Sequence, residues 1–167
     1  MTTALLDTNV LIALLDPSHT FHAVAARWFR AHAEEGWATC PLTENGFVRI
    51  VSHPSYPQPV TVADALAILR RSRGHRAHTF WPDDITITDS GIIDDAHLLG
   101  SGQVTDAYLL DLAVRNDGRL VTLDRRIHVA TVRGASPSCL AVIDPRAADD
   151  DRDGPQPSPQ GGSTQPT

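Results

Sequence analysis

The 167-residue sequence contains no lysine, so all fourteen of its basic residues are arginines. That absence removes whole reaction classes. A P-loop sets a lysine against nucleotide phosphates, and pyridoxal or other Schiff-base chemistry needs an amine nucleophile. Cysteine is scarce: Cys40 and Cys139 lie far apart, form no CxxC, and predict small core residues in a reducing cytoplasm rather than a disulfide framework. No GxSxG elbow and no low-pKa cysteine signature supplies a protein nucleophile. No apolar run approaches the ~20 residues of a membrane span. The opening MTTALLDTNVLIALLD is apolar but interrupted by an acid, and it lacks a basic leading region and a cleavage site, so it does not read as a signal peptide. The histidines form no ligand set; His19 and His22 have no third partner for zinc and read as a surface pair.

What is present fits one globular domain, with 41% hydrophobic and 20% charged residues. The net charge is −6, of which residues 145–167, with four Asp and two Arg, carry −2, leaving −4 on residues 1–144. Divalent metal bound to acids would neutralise much of that −4. Residues 145–167 are rich in Pro, Gly, Asp and Gln without a large apolar side chain, and predict a disordered acidic tail behind a domain spanning 1–144.

Within 1–144, strand and helix signals alternate. Strands are predicted at 3–6, 37–40, 85–88, 119–123 and 139–143. Helices are predicted at 9–15, 19–35 (with Ser18 as N-cap), 42–52, 62–73 (capped by Thr61, with Val62, Ala65, Leu66 and Leu69 on one face) and 106–116 (capped by Thr105). Residues 74–84 read as irregular and 90–104 as ambiguous. This alternation implies a parallel sheet covered by helices on both faces.

In such sheets ligands bind outside the carboxyl ends of the strands. Asp7 and Asp124 each follow a strand directly, and Glu44 and Asp106 each lie in the first turn of a helix. Singly, such acids are usually caps or turn residues. Together, convergent carboxylates without basic partners call for a hard cation, Mg²⁺ or Mn²⁺. Asp111 lies about 140° around the helix from Asp106 and reads as a solvent or interface residue; Asp16, Asp83, Asp84, Asp94, Asp95 and Asp117 read as helix-end or solvated acids. Arg70, Arg71, Arg73 and Arg76 cluster in RRSRGHRAH, and Arg125 and Arg126 follow Asp124, with Arg133 close by. Both a solvated face and phosphate contact fit these arginines, with nearness favouring Arg125 and Arg126 for the latter.

Four segments, LLDTNVLIALLD (5–16), CPLTENGFVRI (40–50), VTDAYLLDLA (104–113) and GRLVTLDRR (118–126), resemble a PIN-domain ribonuclease of the VapC toxin type, as does HTFWPDDI (78–85). The resemblance covers about residues 1–144. It implies a three-layer α/β/α fold with a central, mainly parallel sheet. It implies that Asp7, Glu44, Asp106 and Asp124 are the catalytic, metal-binding acids, that Asn9 and Thr122 orient them, and that Mg²⁺ or Mn²⁺ assists hydrolysis of RNA to 5′-phosphate and 3′-hydroxyl ends. It further implies a homodimer neutralised by a VapB-type antitoxin, for which the apolar faces of residues 9–15 and 21–29 offer either a groove or ordinary core. Two rivals stand beside it: a non-catalytic PIN-like scaffold binding RNA or protein, and an acidic-pocket phosphatase. The latter wants a lysine and an Asp where this chain has Asn9.

Overall fold

The computed structural model describes residues 2–88 and 92–144. Its centre is β1 (Ala4–Leu6), a fully buried strand flanked by β2 (Trp37–Thr39) and β4 (Arg119–Thr122). β3 (His78–Phe80) adds outside β2, and β5 (Leu140–Val142) outside β4. The order is β3-β2-β1-β4-β5 and every pairing is parallel. The inner strands are apolar at their centres because both faces are covered.

The period of two along each strand divides the core. Ala4 and Leu6 of β1 and Val121 of β4 face one layer, with side chains from α1 (Thr8–Leu15), α2 (His22–His32), α3 (Pro41–Val51) and α4 (Val62–Arg73). Leu5 and Leu120 face the other, built on Leu109, Leu110, Leu112 and Ala113 of α5 (Val104–Arg115) with Trp81, Ile127 and Val132. The result is the expected α/β/α sandwich. The chain runs outward from β1 to β2 to β3, then crosses back to place β4 on the other side of β1. The reversal leaves a crevice at the carboxyl ends of β1 and β4, the place where such sheets bind ligands.

Several expectations need correction. The predicted strand 85–88 does not form; the edge strand is β3, inside the stretch read as irregular, where an exposed edge needs no apolar run. Ser18 does not cap α2, which starts at His22 after a turn in which the Ser18 N–H donates to Asp16. Thr105 lies inside α5, whose N-cap is Gln103. Thr61 does cap α4, accepting from the Asp64 N–H, but Val62 and Leu66 are exposed while Ala65 and Leu69 are buried. Asp111 is not a solvent residue: it is 1% exposed and paired to Arg115 one turn on. Val10, Leu11, Ile12 and Ala13 of α1 are buried in the core, whereas Leu14 and Leu15 line an open cleft with Phe29 of α2. Cys40 is buried as expected. The expected tail, 145–167, lies outside the described residues.

The turn from α5 into β4 is tight. Asp117 takes a left-handed conformation (φ 51°), and the Gly118 N–H closes onto the Ala113 carbonyl at 2.8 Å. A Cβ on Gly118 would lie 2.5 Å from the Trp81 ring and 2.7 Å from the Thr3 carbonyl oxygen. Gly118→Ala is therefore expected to destabilise the domain by about 1–3 kcal/mol, read from a urea denaturation midpoint; an unchanged midpoint would show that Trp81 and the Thr3 backbone yield freely.

Candidate active site

Asp7 occupies the N-cap of α1 and is 6% exposed. Its Oδ2 accepts from Asn9 Nδ2 at 2.7 Å and from Thr122 Oγ1 at 2.7 Å. The same Thr122 oxygen accepts from Asn9 Nδ2 at 3.1 Å and from the Asp124 N–H at 3.0 Å, while Asn9 Oδ1 accepts the Leu123 N–H at 3.0 Å. That last bond fixes the amide orientation of Asn9. The network ties the end of β1 to the end of β4 and aims Asp7 across the crevice. Burial pushes the Asp7 carboxyl above its ordinary pKa against the hydrogen bonds from Thr122, Thr8 and Asn9, and the charge of Asp124 pushes the same way.

Asp106 stands in the first turn of α5. Burial first, then the charges of Asp7 and Asp124, raise its pKa to about 6. Asp106 and Asp124 line one open cleft with Leu99, Gly100, Gly102, Gln103 and Arg126. Arg126 grips Asp124 and holds its carboxyl below the usual carboxylate range. Three of the four predicted acids thus share one field at the reversal of the sheet. Among the described residues, neither Asp7 nor Asp106 has an ion-pair partner.

Glu44, in the first turn of α3, is anchored separately. Its Oε1 accepts from Thr39 Oγ1 at 2.6 Å and lies 3.4 Å from Arg73 Nε, and its Oε2 is 3.5 Å from the Arg73 guanidinium. Thr39 gives its proton to Glu44, so His78, with Nε2 2.8 Å from Thr39 Oγ1, is the donor to Thr39. Burial, Arg73 and His75 lower the His78 pKa to about 4, which keeps the ring neutral at pH 7. Thr39 and His78 were not singled out from the sequence. A signal for Thr39 exists: it ends β2 as Thr122 ends β4, and each buried strand-terminal hydroxyl donates to one of the acids.

The arginines separate. Arg126 is in the cleft. Arg125 pairs with Asp144 and Arg76 with Glu34, both away from the acids. Arg73 pairs with Glu44 and lies 4.8 Å over the Phe80 ring. Arg70 and Arg71 stand exposed on the last turn of α4.

The sequence profile of the PIN domain matches residues 4–132. Ribonuclease VapC44 of Mycobacterium tuberculosis is 49% identical over 140 residues, which cover 84% of this chain and 99% of that protein. The chain belongs to the PIN-domain family, within its VapC branch. Ribonuclease VapC39 of the same organism is 48% identical over 123 residues, covering 73% of this chain and 88% of that protein, and Ribonuclease VapC29 is 40% identical over 122 residues, with 73% and 86% covered.

PIN domains of this branch are metal-dependent, and the donor set suits a hard cation. It is all oxygen and anionic, with two carboxylates raised in pKa and, among the described residues, no ion pair to either. Among the described residues, no three His, Cys, Asp or Glu side chains are grouped so as to hold a metal ion by themselves. An open set of acids fits an ion that keeps several of its waters.

Proposed function

We propose that this PIN domain is a metal-dependent endoribonuclease acting as the toxin of a toxin–antitoxin pair. The observation that carries the reading is the meeting of Asp7, Asp106 and Asp124 at the sheet reversal, with no ion pair to Asp7 or Asp106 among the described residues. Asp7, Asp106 and Asp124 would hold Mg²⁺ or Mn²⁺, with Glu44 completing the acidic edge. When bound, the ion supplies Lewis-acid charge for in-line hydrolysis of a phosphodiester. The protein's part is to hold the carboxylates in place. Thr122 and Asn9 fix Asp7, while Thr39 and Arg73 fix Glu44. The burial of Asp7 excludes water that would screen its charge. Cleavage would leave 5′-phosphate and 3′-hydroxyl ends.

The names of the relatives, ribonucleases VapC44 and VapC39, support RNA as the substrate and a VapB-type antitoxin as the partner, and the proposed assembly is a homodimer. No described helix is long and apolar enough to cross a membrane, and the proposed location is the cytoplasm. The test is incubation of purified protein with total cellular RNA in Mg²⁺ or Mn²⁺ and in EDTA, followed by end mapping. Discrete, EDTA-sensitive cuts with 5′-phosphate ends are expected; the absence of both cleavage and Mn²⁺ binding would favour the scaffold.

Thr122→Val keeps the shape of the strand end but removes the hydroxyl that serves Asp7, Asn9 and the Asp124 N–H. It is expected to lower cleavage or metal affinity by about 10- to 100-fold, measured by rate and by Mn²⁺ titration. Wild-type values in both would remove Thr122 from the site.

A further inference from the structure

Asp124 is the one acid of the cleft that already has a cation on it. Arg126 Nε lies 3.0 Å from Oδ1 and 3.2 Å from Oδ2, and Arg126 Nη2 lies 2.7 Å from Oδ2, so the guanidinium fork takes both oxygens. The Arg126 backbone N–H separately donates to Oδ1 at 2.8 Å. The Arg126 side chain is 87% exposed, and beyond Asp124 only the charge of Asp106 bears on it. It projects into the same cleft as Asp106. Arg73, which grips Glu44, differs in kind: its contacts are longer, at 3.4–3.5 Å, and its guanidinium is also stacked on Phe80.

Building on the metal site above, we propose that Arg126 is an exchangeable guard of Asp124, yielding the carboxylate to the divalent cation and turning to the phosphates of RNA in the cleft. Guanidinium and metal ion compete for the same lone pairs. An exposed arginine–carboxylate pair contributes little net free energy, and its long side chain leaves without disturbing packing. The backbone N–H of Arg126 stays on Oδ1 after the side chain departs, so Asp124 keeps its aim. Once released, the fork is positioned one side-chain length from the acids, with a geometry suited to bidentate phosphate contact. One residue thus serves two states: it neutralises Asp124 when no ion is present, and it adds positive charge for the transition state when one is.

The distinguishing consequence is a pair of effects with opposite signs. Mn²⁺ is titrated calorimetrically, without RNA, into the wild type, Arg126→Ala and Arg125→Ala, and cleavage is measured at saturating Mn²⁺. Arg125→Ala removes the same charge at the adjacent position, where the side chain is engaged by Asp144. Arg126→Ala is expected to bind Mn²⁺ about 3- to 10-fold more tightly, the effect of deleting an exposed competing ion pair, with Arg125→Ala near wild type. Cleavage by Arg126→Ala is expected to fall by about 10-fold or more for want of the phosphate contact. Unchanged or weaker Mn²⁺ binding, or equal tightening in Arg125→Ala, would overturn the guard. Tighter binding with undiminished cleavage would overturn its role on phosphate. Failure of the wild type itself to bind Mn²⁺ would overturn the metal site beneath both.

Discussion

Asp106→Asn is expected to reduce RNA cleavage by about 10²–10³-fold or more while making the metal-free protein more stable. The Asp106 carboxyl is pushed up to about 6 by burial and by the charges of Asp7 and Asp124, with Arg126 opposing. For an acid whose folded pKa is raised, ionisation opposes folding. Stability is therefore highest below the ordinary carboxylate range, falls as pH rises from about 4 to about 6, and stays reduced at neutrality. Asparagine removes that opposition at pH 7. After allowance for solvent screening of a half-buried group, a rise in Tm of about 2–4 °C is expected, the change that ~1 kcal/mol makes in a domain of this size. Asp7→Asn should behave alike, because an asparagine can present its carbonyl oxygen to the donors Asn9 and Thr122. Thermal melts in EDTA beside cleavage assays check both. Loss of cleavage accompanied by a lower Tm would mean that the acids support the fold rather than a cation.

Divalent cation is expected to reverse that repulsion. With Mn²⁺ at about 100 times its Kd, the wild type gains about 2.7 kcal/mol, or a Tm rise of roughly 5–10 °C at pH 7.5. EDTA should abolish both the rise and the cleavage. The rise should shrink below pH 6, because protonation of Asp106 withdraws a ligand. Differential scanning calorimetry at pH 5 and pH 7.5 measures it. An equal Mn²⁺ shift at both pH values would place the ion elsewhere on the protein.

The sequence made the inner fold legible because buried parallel strands favour short apolar stretches with no turn residue: ALL at β1 and the Leu-Val centre of RLVT at β4 lie where the pattern put them. The nearness of Asp7, Asp106 and Asp124 was legible for a related reason, since each follows a strand or opens a helix at the carboxyl edge of the sheet, where ligands gather. What escaped was decided by tertiary contact. The edge strand HTF is half exposed and carries no run, whereas ITIT has the strand pattern but finds no neighbour to pair with. Asp111 looked solvated from its angle on the helix, yet α5 is buried widely enough to enclose it, and Arg115 one turn on supplies its partner. The arginines could not be sorted from the sequence, because the choice between Arg125 and Arg126 depends on Asp144, which β5 brings alongside.

The most direct measurement of the account's central claim is the anomalous diffraction of a crystal grown or soaked in Mn²⁺. The prediction is an anomalous peak in the crevice between β1 and β4, ligated by oxygens of Asp7, Asp106 and Asp124, with the Arg126 side chain withdrawn from Asp124. A fully loaded crystal showing no peak there, or showing manganese only at other acids, would contradict it.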